Sequence, residues 1–361
     1  MNYTEKDILY ALGHVDDPDL KKDLVSLGMI KNINFKNDEG FPQVFFDVVL
    51  TTPACPLKEE IKAACENAIH HFVSPDLVPV IRMTSQVTGQ QKQEVLTGVK
   101  NVVAVASGKG GVGKSTVAVN LARALQKHGA RVGILDADIY GPSIPTFFGL
   151  RNARPKMDGK LILPVEKDGL KIMSIGFLID ENQPVIWRGP MAASAIKQFI
   201  GDVKWGELDY LIIDLPPGTG DIHLTISQSA NLMGSLIVTT PQEVAVADCK
   251  KAIAMFKSEH VNVPILGIIE NMSYFTPEEL PDNKYFLFGK GGAQSLADEF
   301  DIPLIGELPI IEKVREHSDS GESIFDSGSR EKALFYDLAS KVAQQIAIQN
   351  QKTVENTVPS E

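Results

Sequence analysis

Cysteine is scarce in this chain. Its 361 residues hold three, Cys55, Cys65 and Cys249, too few for a disulfide framework. Long apolar runs are missing too. No stretch approaches the ~18 residues that a membrane-spanning helix requires, and mean hydropathy is −0.02. Positive charge is the minority sign, with 35 Lys and Arg against 46 Asp and Glu, for a net charge of −11. That balance argues against a protein that coats nucleic acid, whose binding face needs clustered Lys and Arg. The first twelve residues carry Glu5 and Asp7 and lack the basic-then-apolar layout of a secretory signal. A cytoplasmic protein is the expectation. There is no internal repeat and no low-complexity block. What remains is an ordinary globular mix, 43% hydrophobic and 22% charged. At ~150 residues per domain, the length implies about two domains.

A polar stretch from Ser85 to Lys100 interrupts the hydrophobic pattern and reads as a linker, with its centre at residues 86–100. The expected division is a small α+β domain over 1–85, the linker, a larger domain over 101–350 and a frayed polar tail over 351–361. In the small domain, Thr4 is placed to cap a short helix through Leu12. Gly28–Asn34 and Val44–Leu50 read as strands, and Val78–Met83 as a returning one. Leu57–Phe72 has helical spacing, with Leu57, Ile61, Ala64, Ala68 and Phe72 on one face. In the larger domain strands and helices alternate: Val102–Ala106, Val132–Leu135, Leu211–Asp214, Leu236–Thr240 and Ile265–Ile269 are apolar runs, with helices such as Lys114–His128 and Glu243–His260 between them. Alternation of this kind predicts an α/β fold with a parallel sheet covered on both faces. Asp158-Gly159 and Asp168-Gly169 mark turns, so Leu161–Ile175 is expected to form a hairpin insertion.

The strongest chemical signal is Gly108-Lys109-Gly110-Gly111-Val112-Gly113-Lys114-Ser115, followed by Thr116. It fits G-x-x-x-x-G-K-[ST], the phosphate loop of nucleotide-hydrolysing proteins. Glycines let successive backbone N–H groups turn inward around phosphate oxygens. The helix that follows offers its positive end to the same anion. Lys114 is in reach of the β- and γ-phosphates of ATP, and the Ser115 hydroxyl can ligate Mg²⁺. An apolar strand before the loop and a helix after it supply the required context.

Two acidic strand ends belong to the same chemistry. Tyr210-Leu211-Ile212-Ile213-Asp214 is an apolar strand closing on a carboxylate, which puts Asp214 on the metal, directly or through water. Leu135-Asp136-Ala137-Asp138 ends another strand, where ligands sit in open α/β sheets. Asp138 is placed to orient an attacking water or to feel the γ-phosphate as a switch, and Asp136 to reach Mg²⁺ through water; a helix cap or turn is the structural alternative for either. Pro216-Pro217-Gly218-Thr219-Gly220-Asp221 follows Asp214 and has the backbone freedom to sense a phosphate.

GKGGVGKST resembles the deviant phosphate loop of the MinD and nitrogenase-iron-protein class. That resemblance implies that Lys109 crosses a dimer interface to the partner's nucleotide. LDADIYGPSIP, WRGPM (Trp187 to Met191), DYLIIDLPPGTGD and GIIENMSYF extend it: nearly the whole chain resembles the Mrp/ApbC-type iron–sulfur cluster carriers. DPDLKKDLVSLGMI and TTPACPLKEEI resemble the small domain fused ahead of such ATPases. The resemblance implies a dimeric ATPase that binds a cluster and passes it to apo-proteins. It also implies that Asn271 hydrogen-bonds the adenine, with Pro241 and Pro309 flanking the base.

The chain departs from that family at one place. Members carry C-x-x-C shortly after the ENMS string, so that a symmetric dimer supplies the four thiolates of a [4Fe–4S] cluster. Here the segment is Thr276-Pro277-Glu278-Glu279-Leu280-Pro281-Asp282-Asn283-Lys284-Tyr285, without Cys or His. Carboxylates match iron–sulfur ligation poorly. Cys55 precedes a helix whose N-terminus can lower a thiol pKa; by resemblance it is the small-domain residue that touches a cluster or an exchanged thiol. Cys65 and Cys249 read as packing, and His70 and His71 as solvated.

Two functions of different class follow. One is an ATP-hydrolysing cluster carrier or assembly scaffold, homodimeric, serving apo iron–sulfur proteins. The other is a nucleotide-switched regulator of the MinD/ParA kind, without a cluster. A nitrogenase-like reductase would need paired cysteines that are missing. Membrane-binding relatives need an amphipathic tail with a basic face. In Arg330–Gln349, Glu331 and Asp337 offset that charge, and Leu334, Leu338 and Val342 read as packing on the sheet. Neither a membrane nor a nucleic acid is an expected partner.

Overall fold

In this computed structural model, residues 3–38, 41–89, 95–179, 189–277, 279–280, 282–327 and 331–357 are described. Two units divide the chain: Met1–Thr88 together with Ala347–Glu361, and Gly89–Ile346.

The first unit opens with α1 (Glu5–Leu12), held by a capping box in which Thr4 and Asp7 exchange hydrogen bonds. A two-residue ladder pairs β1 (Asp16–Asp17) with β2 (Lys22–Asp23). A three-stranded sheet follows, built from β3 (Ile30–Asp38), β4 (Phe41–Leu50) and, after α2 (Lys58–Phe72), β5 (Val78–Ser85). β3 and β4 are antiparallel, and β4 and β5 are parallel across the α2 crossover. β3 starts later than Gly28 because Gly28 sits at φ +65°, and the ladder shifts register between Lys31 and Asn34, where Asn32 has φ +56°. Ile8, Leu12, Leu24, Phe46, Val48, Ile61 and Ile69 fill the core. The buried face of α2 is rotated from the expected one. Ile61, Cys65, Ala68 and Ile69 point inward, while Phe72 is exposed and stacks on His14 with ring centroids 4.2 Å apart. A 3.6-residue period carries the stripe around the helix by its last turn.

The second unit is an eight-stranded sheet. In chain order it comprises β6 (Val99–Ala106), α3 (Lys114–Lys127), β7 (Val132–Asp136), α4 (Ile144–Phe147), a separate hairpin of β8 (Lys156–Asp158) and β9 (Leu161–Leu163), and then β10 (Val165–Lys167) and β11 (Leu170–Ser174). α5 (Gly189–Gly201), β12 (Leu208–Asp214), α6 (Asp221–Ser229), β13 (Gly234–Thr239), α7 (Glu243–Lys257) and β14 (Ile265–Phe275) come next. α8 (Gly292–Phe300), β15 (Leu304–Ile310), α9 (Glu312–Ser320) and α10 (Lys332–Thr357) close the chain. The strand order is β10-β11-β7-β12-β6-β13-β14-β15, parallel throughout except for the antiparallel edge strand β10. β6, flanked by β12 and β13, is a central strand; β7, β12 and β13 are buried along their whole length, as an all-apolar strand with two covered faces must be.

Two expectations need correction. The turns at Asp158-Gly159 and Asp168-Gly169 form, but the second hairpin is no mere insertion: β11 pairs in parallel with β7 and extends the main sheet. The polar end of the chain is helical through Thr357 rather than frayed from residue 351. The expected linker falls partly outside the described residues, and Val99 already belongs to β6.

Asp209 on β12 fastens the start of the sheet. Its carboxylate accepts from Lys100 Nζ at 2.9 Å and from the Arg131 backbone N–H at 2.9 Å and guanidinium at 3.1 Å. Burial alone would raise this carboxyl, yet the bonds from Arg131 and Lys100 outweigh it and hold it at about 2. Because the folded value lies below the ordinary 3.8, the stabilisation is present above pH ~4 and is lost as pH falls toward 2. Asp209→Asn should therefore lower the thermal midpoint at pH 7 by roughly 3–12 °C, with the gap to wild type closing in acid. Thermal denaturation followed by circular dichroism at pH 7 and pH 3 reads it; an equal gap at both values would refute the assignment.

Candidate nucleotide site

β6 ends at Ala106, and the phosphate loop leaves it at the carboxyl edge of the parallel sheet. The loop turns at Gly111, φ +82°, and Gly113, φ +79°, values that L side chains adopt only with strain. Gly113 then caps α3, so the loop amides and the helix N-terminus face the same space. Val112 is buried beneath the loop, and Lys109 is half-buried at its start. Ser107 Oγ donates to the Lys109 carbonyl at 2.9 Å and fixes the entry to the loop. Thr116 lies in the first turn of α3, partly exposed.

Sheet register brings the acidic strand ends together. Asp214 of β12 stands directly opposite Asp136 of β7, and both are fully buried. Lys114 Nζ donates to Asp214 Oδ1 at 2.6 Å, and Ser115 Oγ donates to Asp214 Oδ2 at 2.5 Å. The lysine and the serine of the loop thus converge on one carboxylate. Asp136 is engaged differently: its Oδ2 accepts from the Ile144 backbone N–H at 3.1 Å and Ser174 Oγ at 3.0 Å, and its Oδ1 from the Asp138 N–H at 3.2 Å. Burial first, and then the charge of Asp214, push the Asp136 carboxyl up. With both oxygens committed to the protein, Asp136 positions the β7 end, α4 and Asp138. These bonds give Asp136 a scaffold role beside the water-mediated contact with Mg²⁺ expected of it. Ser174, whose hydroxyl completes this cradle, carries no local sequence signal; only the placement of β11 beside β7 reveals it.

Asp138 is half-buried, and burial raises its carboxyl against the opposing charge of Lys114. It lines a cavity of about 600 Å³ with Tyr140, Gly141, Pro216, Asp221 and His223, among others. The loop after Asp214 is tied to the phosphate loop by the Gly218 N–H donating to the Ser107 carbonyl at 3.0 Å. Asn271, near the end of β14, reaches the loop from below: its Nδ2 donates to the Val112 carbonyl at 2.9 Å. A side chain at Gly113 would collide with that amide. Asn271 is therefore placed under the phosphate loop. Pro241 is buried against Gly292 at the start of α8, and Pro309 lies within β15. Trp187 lies outside the described residues, as do Glu278 and Pro281.

For a divalent cation, Ser115 Oγ and the Asp214 carboxylate offer the hard oxygen donors that Mg²⁺ prefers. Among the described residues, no group of three or more His, Cys, Asp or Glu is set to hold a metal. The cysteines lie apart from this site. Cys65 is buried and its thiol pushed up to about 12, and burial also raises Cys249. Cys55 is half-buried, and its thiol is raised, not lowered as its place before a helix suggested. Burial dominates, the Leu57 N–H opposes it, and Asp19 and Asp17 add to it. His70 and His71 are exposed.

A phosphate loop leaving the central strand of a parallel sheet, with a carboxylate-terminated neighbouring strand, defines a P-loop NTPase. The family model described as "NUBPL iron-transfer P-loop NTPase" matches residues 98–347, and one described as "Iron-sulfur cluster assembly protein" matches residues 5–74. The chain belongs to the NUBPL iron-transfer P-loop NTPase family. It is 49% identical over 88% of its length to an iron-sulfur cluster carrier protein of Synechocystis, covering 90% of that protein. A carrier protein of Escherichia coli is 40% identical over 93% of this chain and 90% of its own. Among solved structures, an ADP-bound nucleotide-binding protein of Archaeoglobus fulgidus is 45% identical, with a TM-score of 0.55, over 62% of this chain and 87% of its own. Among the described residues, no helix is long and apolar enough to cross a membrane.

Proposed function

We propose that this protein is an ATP-hydrolysing carrier that takes up an iron–sulfur cluster as cargo and passes it to apo-proteins, working as a homodimer in the cytoplasm. The observation that carries the ATPase half is the convergence of Lys114 and Ser115 on Asp214 beside the glycine loop. In this reading the loop amides and Thr116 hold the phosphate tail, and Lys114 neutralises the β- and γ-phosphates. Ser115 and Asp214 hold Mg²⁺, which when bound offsets phosphate charge. Asp138, whose backbone N–H donates to the Asp136 carboxylate, orients a water toward the γ-phosphorus. The bond from that phosphorus to the bridging oxygen breaks as the water oxygen bonds, giving ADP and phosphate. Asn271, bonded to the loop at Val112, is the residue that serves the adenine. Lys109, half-exposed at the loop entry, is the residue that reaches a partner copy's nucleotide.

Kinship with the curated carriers supports the cargo half. The chain itself offers little soft ligation. Cys55 is the cysteine not fully buried, so a dimer brings two such thiols, and further ligands must come from outside the chain. This shortage favours a second reading, a nucleotide-switched regulator without a cluster. Anaerobic reconstitution with iron and sulfide separates the two. The carrier reading expects bound iron and a charge-transfer absorbance that falls in Cys55→Ser. A colourless, iron-free wild type leaves the switch. In the same preparation, Lys109→Ala should keep ATP affinity but lose ATP-dependent dimer sedimentation and most turnover. Normal turnover there would remove the cross-dimer role.

A further inference from the structure

His223 is not accounted for by the phosphate loop, the two acidic strand ends or the cysteines. It sits in the first turn of α6, two residues past the loop that follows Asp214. Its side chain is 1% exposed, and neither ring nitrogen has a hydrogen-bond partner. The nearest polar groups are the carbonyls of Gly220 and Pro216, which favour a charged ring without making well-formed bonds to it. Burial outweighs them, the charge of Lys114 acts in the same direction as burial, and the ring is pushed down to about 4. The imidazole is therefore neutral at physiological pH, with one donor and one acceptor. Its coupling to Lys114 puts it in the electrostatic reach of the phosphate site. It also shares the wall of the 600 Å³ cavity with Asp138.

Buried polar groups are ordinarily satisfied, and one left without a partner is a standing cost that an apolar ring of similar size would remove. The neighbouring helix positions Ile222 and Ile226 are buried and apolar, so an apolar residue would serve at 223 if packing were its whole task. A water that attacks a phosphorus must be held by both hydrogens, with its lone pair turned to the γ-phosphate. One acceptor, Asp138, orients it only about a single axis.

We infer that His223 is a further catalytic residue of the ATP site: its ring supplies the second polar contact, with Asp138, to the attacking water and terminal phosphate. This rests on the ATPase reading above. It requires the ring to turn a nitrogen into the cavity when ATP binds; the segment ahead of it, Leu215–Gly220, includes Gly218 at φ +90°.

The test compares wild type, His223→Phe and His223→Gln. Turnover comes from phosphate release, ATP and ADP affinity from calorimetry, and stability from thermal denaturation. The phenylalanine variant should hold or gain thermal stability, keep ADP affinity and KM within about twofold, and lose kcat at least about tenfold. Glutamine, which restores a donor and an acceptor, should recover most of the lost kcat. Wild-type kcat in His223→Phe overturns the inference and leaves the ATPase reading standing. Equal losses of kcat, ADP affinity and thermal midpoint in both variants also overturn it, since they mark a structural role. A wild type that neither binds nor turns over ATP overturns the ATPase reading, and this inference with it.

Discussion

Lys114→Ala should reduce ATP turnover at least about 100-fold, because the terminal phosphate loses the cation aimed at it. The structure adds a second consequence. Lys114 is 6% exposed and its partner Asp214 is fully buried, so removing the lysine strands a carboxylate beside another, Asp136. Breaking a buried pair in this way costs on the order of 3–5 kcal/mol. Lys114 also opposes the rise of the Asp136 carboxyl, which therefore climbs further in the variant. A carboxyl raised in the folded state keeps a proton that the unfolded chain has released. Its penalty is absent below pH ~4 and accumulates as pH rises through the folded value. The variant should thus melt earlier than wild type at pH 8, with the two converging near pH 5. Phosphate-release assays and melting curves at the two pH values check both halves. Undiminished turnover would remove the phosphate-loop assignment.

Gly108→Ala should be the most damaging methyl in the loop. A Cβ at this position falls onto the backbone of Asp248 and Cys249 in α7. Main chain in mid-helix cannot swing aside as a side-chain tip does, so either α7 or the loop must move. Overpacking of this kind costs about 1–3 kcal/mol. That corresponds to a fall in thermal midpoint of roughly 2–12 °C. Because the loop is the softer of the two, nucleotide affinity should fall about tenfold or more. Gly110→Ala is the comparison. There the nearest atom to a new Cβ is Pro217 Cγ at 3.9 Å, ordinary contact, so the midpoint should stay within about 1 °C of wild type. Equal melting of the two variants would show that the loop does not press on α7 as described.

The phosphate loop and the class of fold were legible because their signals are local. Eight consecutive residues specify the loop, and alternating apolar runs specify a covered parallel sheet. Asp214 was legible for the same reason, standing at the end of an apolar strand. What escaped depends on neighbours distant in sequence. Asp136 reads like Asp138 in the string LDAD, yet the hydroxyl of Ser174 and the Ile144 amide claim it for the scaffold. A helix N-terminus beside Cys55 suggested an acidic thiol, but burial and the carboxylates of Asp17 and Asp19 reverse the sign. Asn271 makes a contact that no spacing announces, its amide donating to the Val112 carbonyl. The sheet strand β11 hid behind two glycine turns that spoke only of hairpins.

Arg123 lies three turns along the helix that begins at Lys114. It is 3% exposed, with its guanidinium donating to the carbonyls of Glu322 at 3.0 Å and Phe147 at 2.8 Å and lying over the Phe148 ring. Burial pushes it down to about 10, still fully charged at neutral pH. A cation bolted between the end of α4 and the segment just past α9 makes the far end of α3 a stator: sliding that helix along its axis would break both bonds at once.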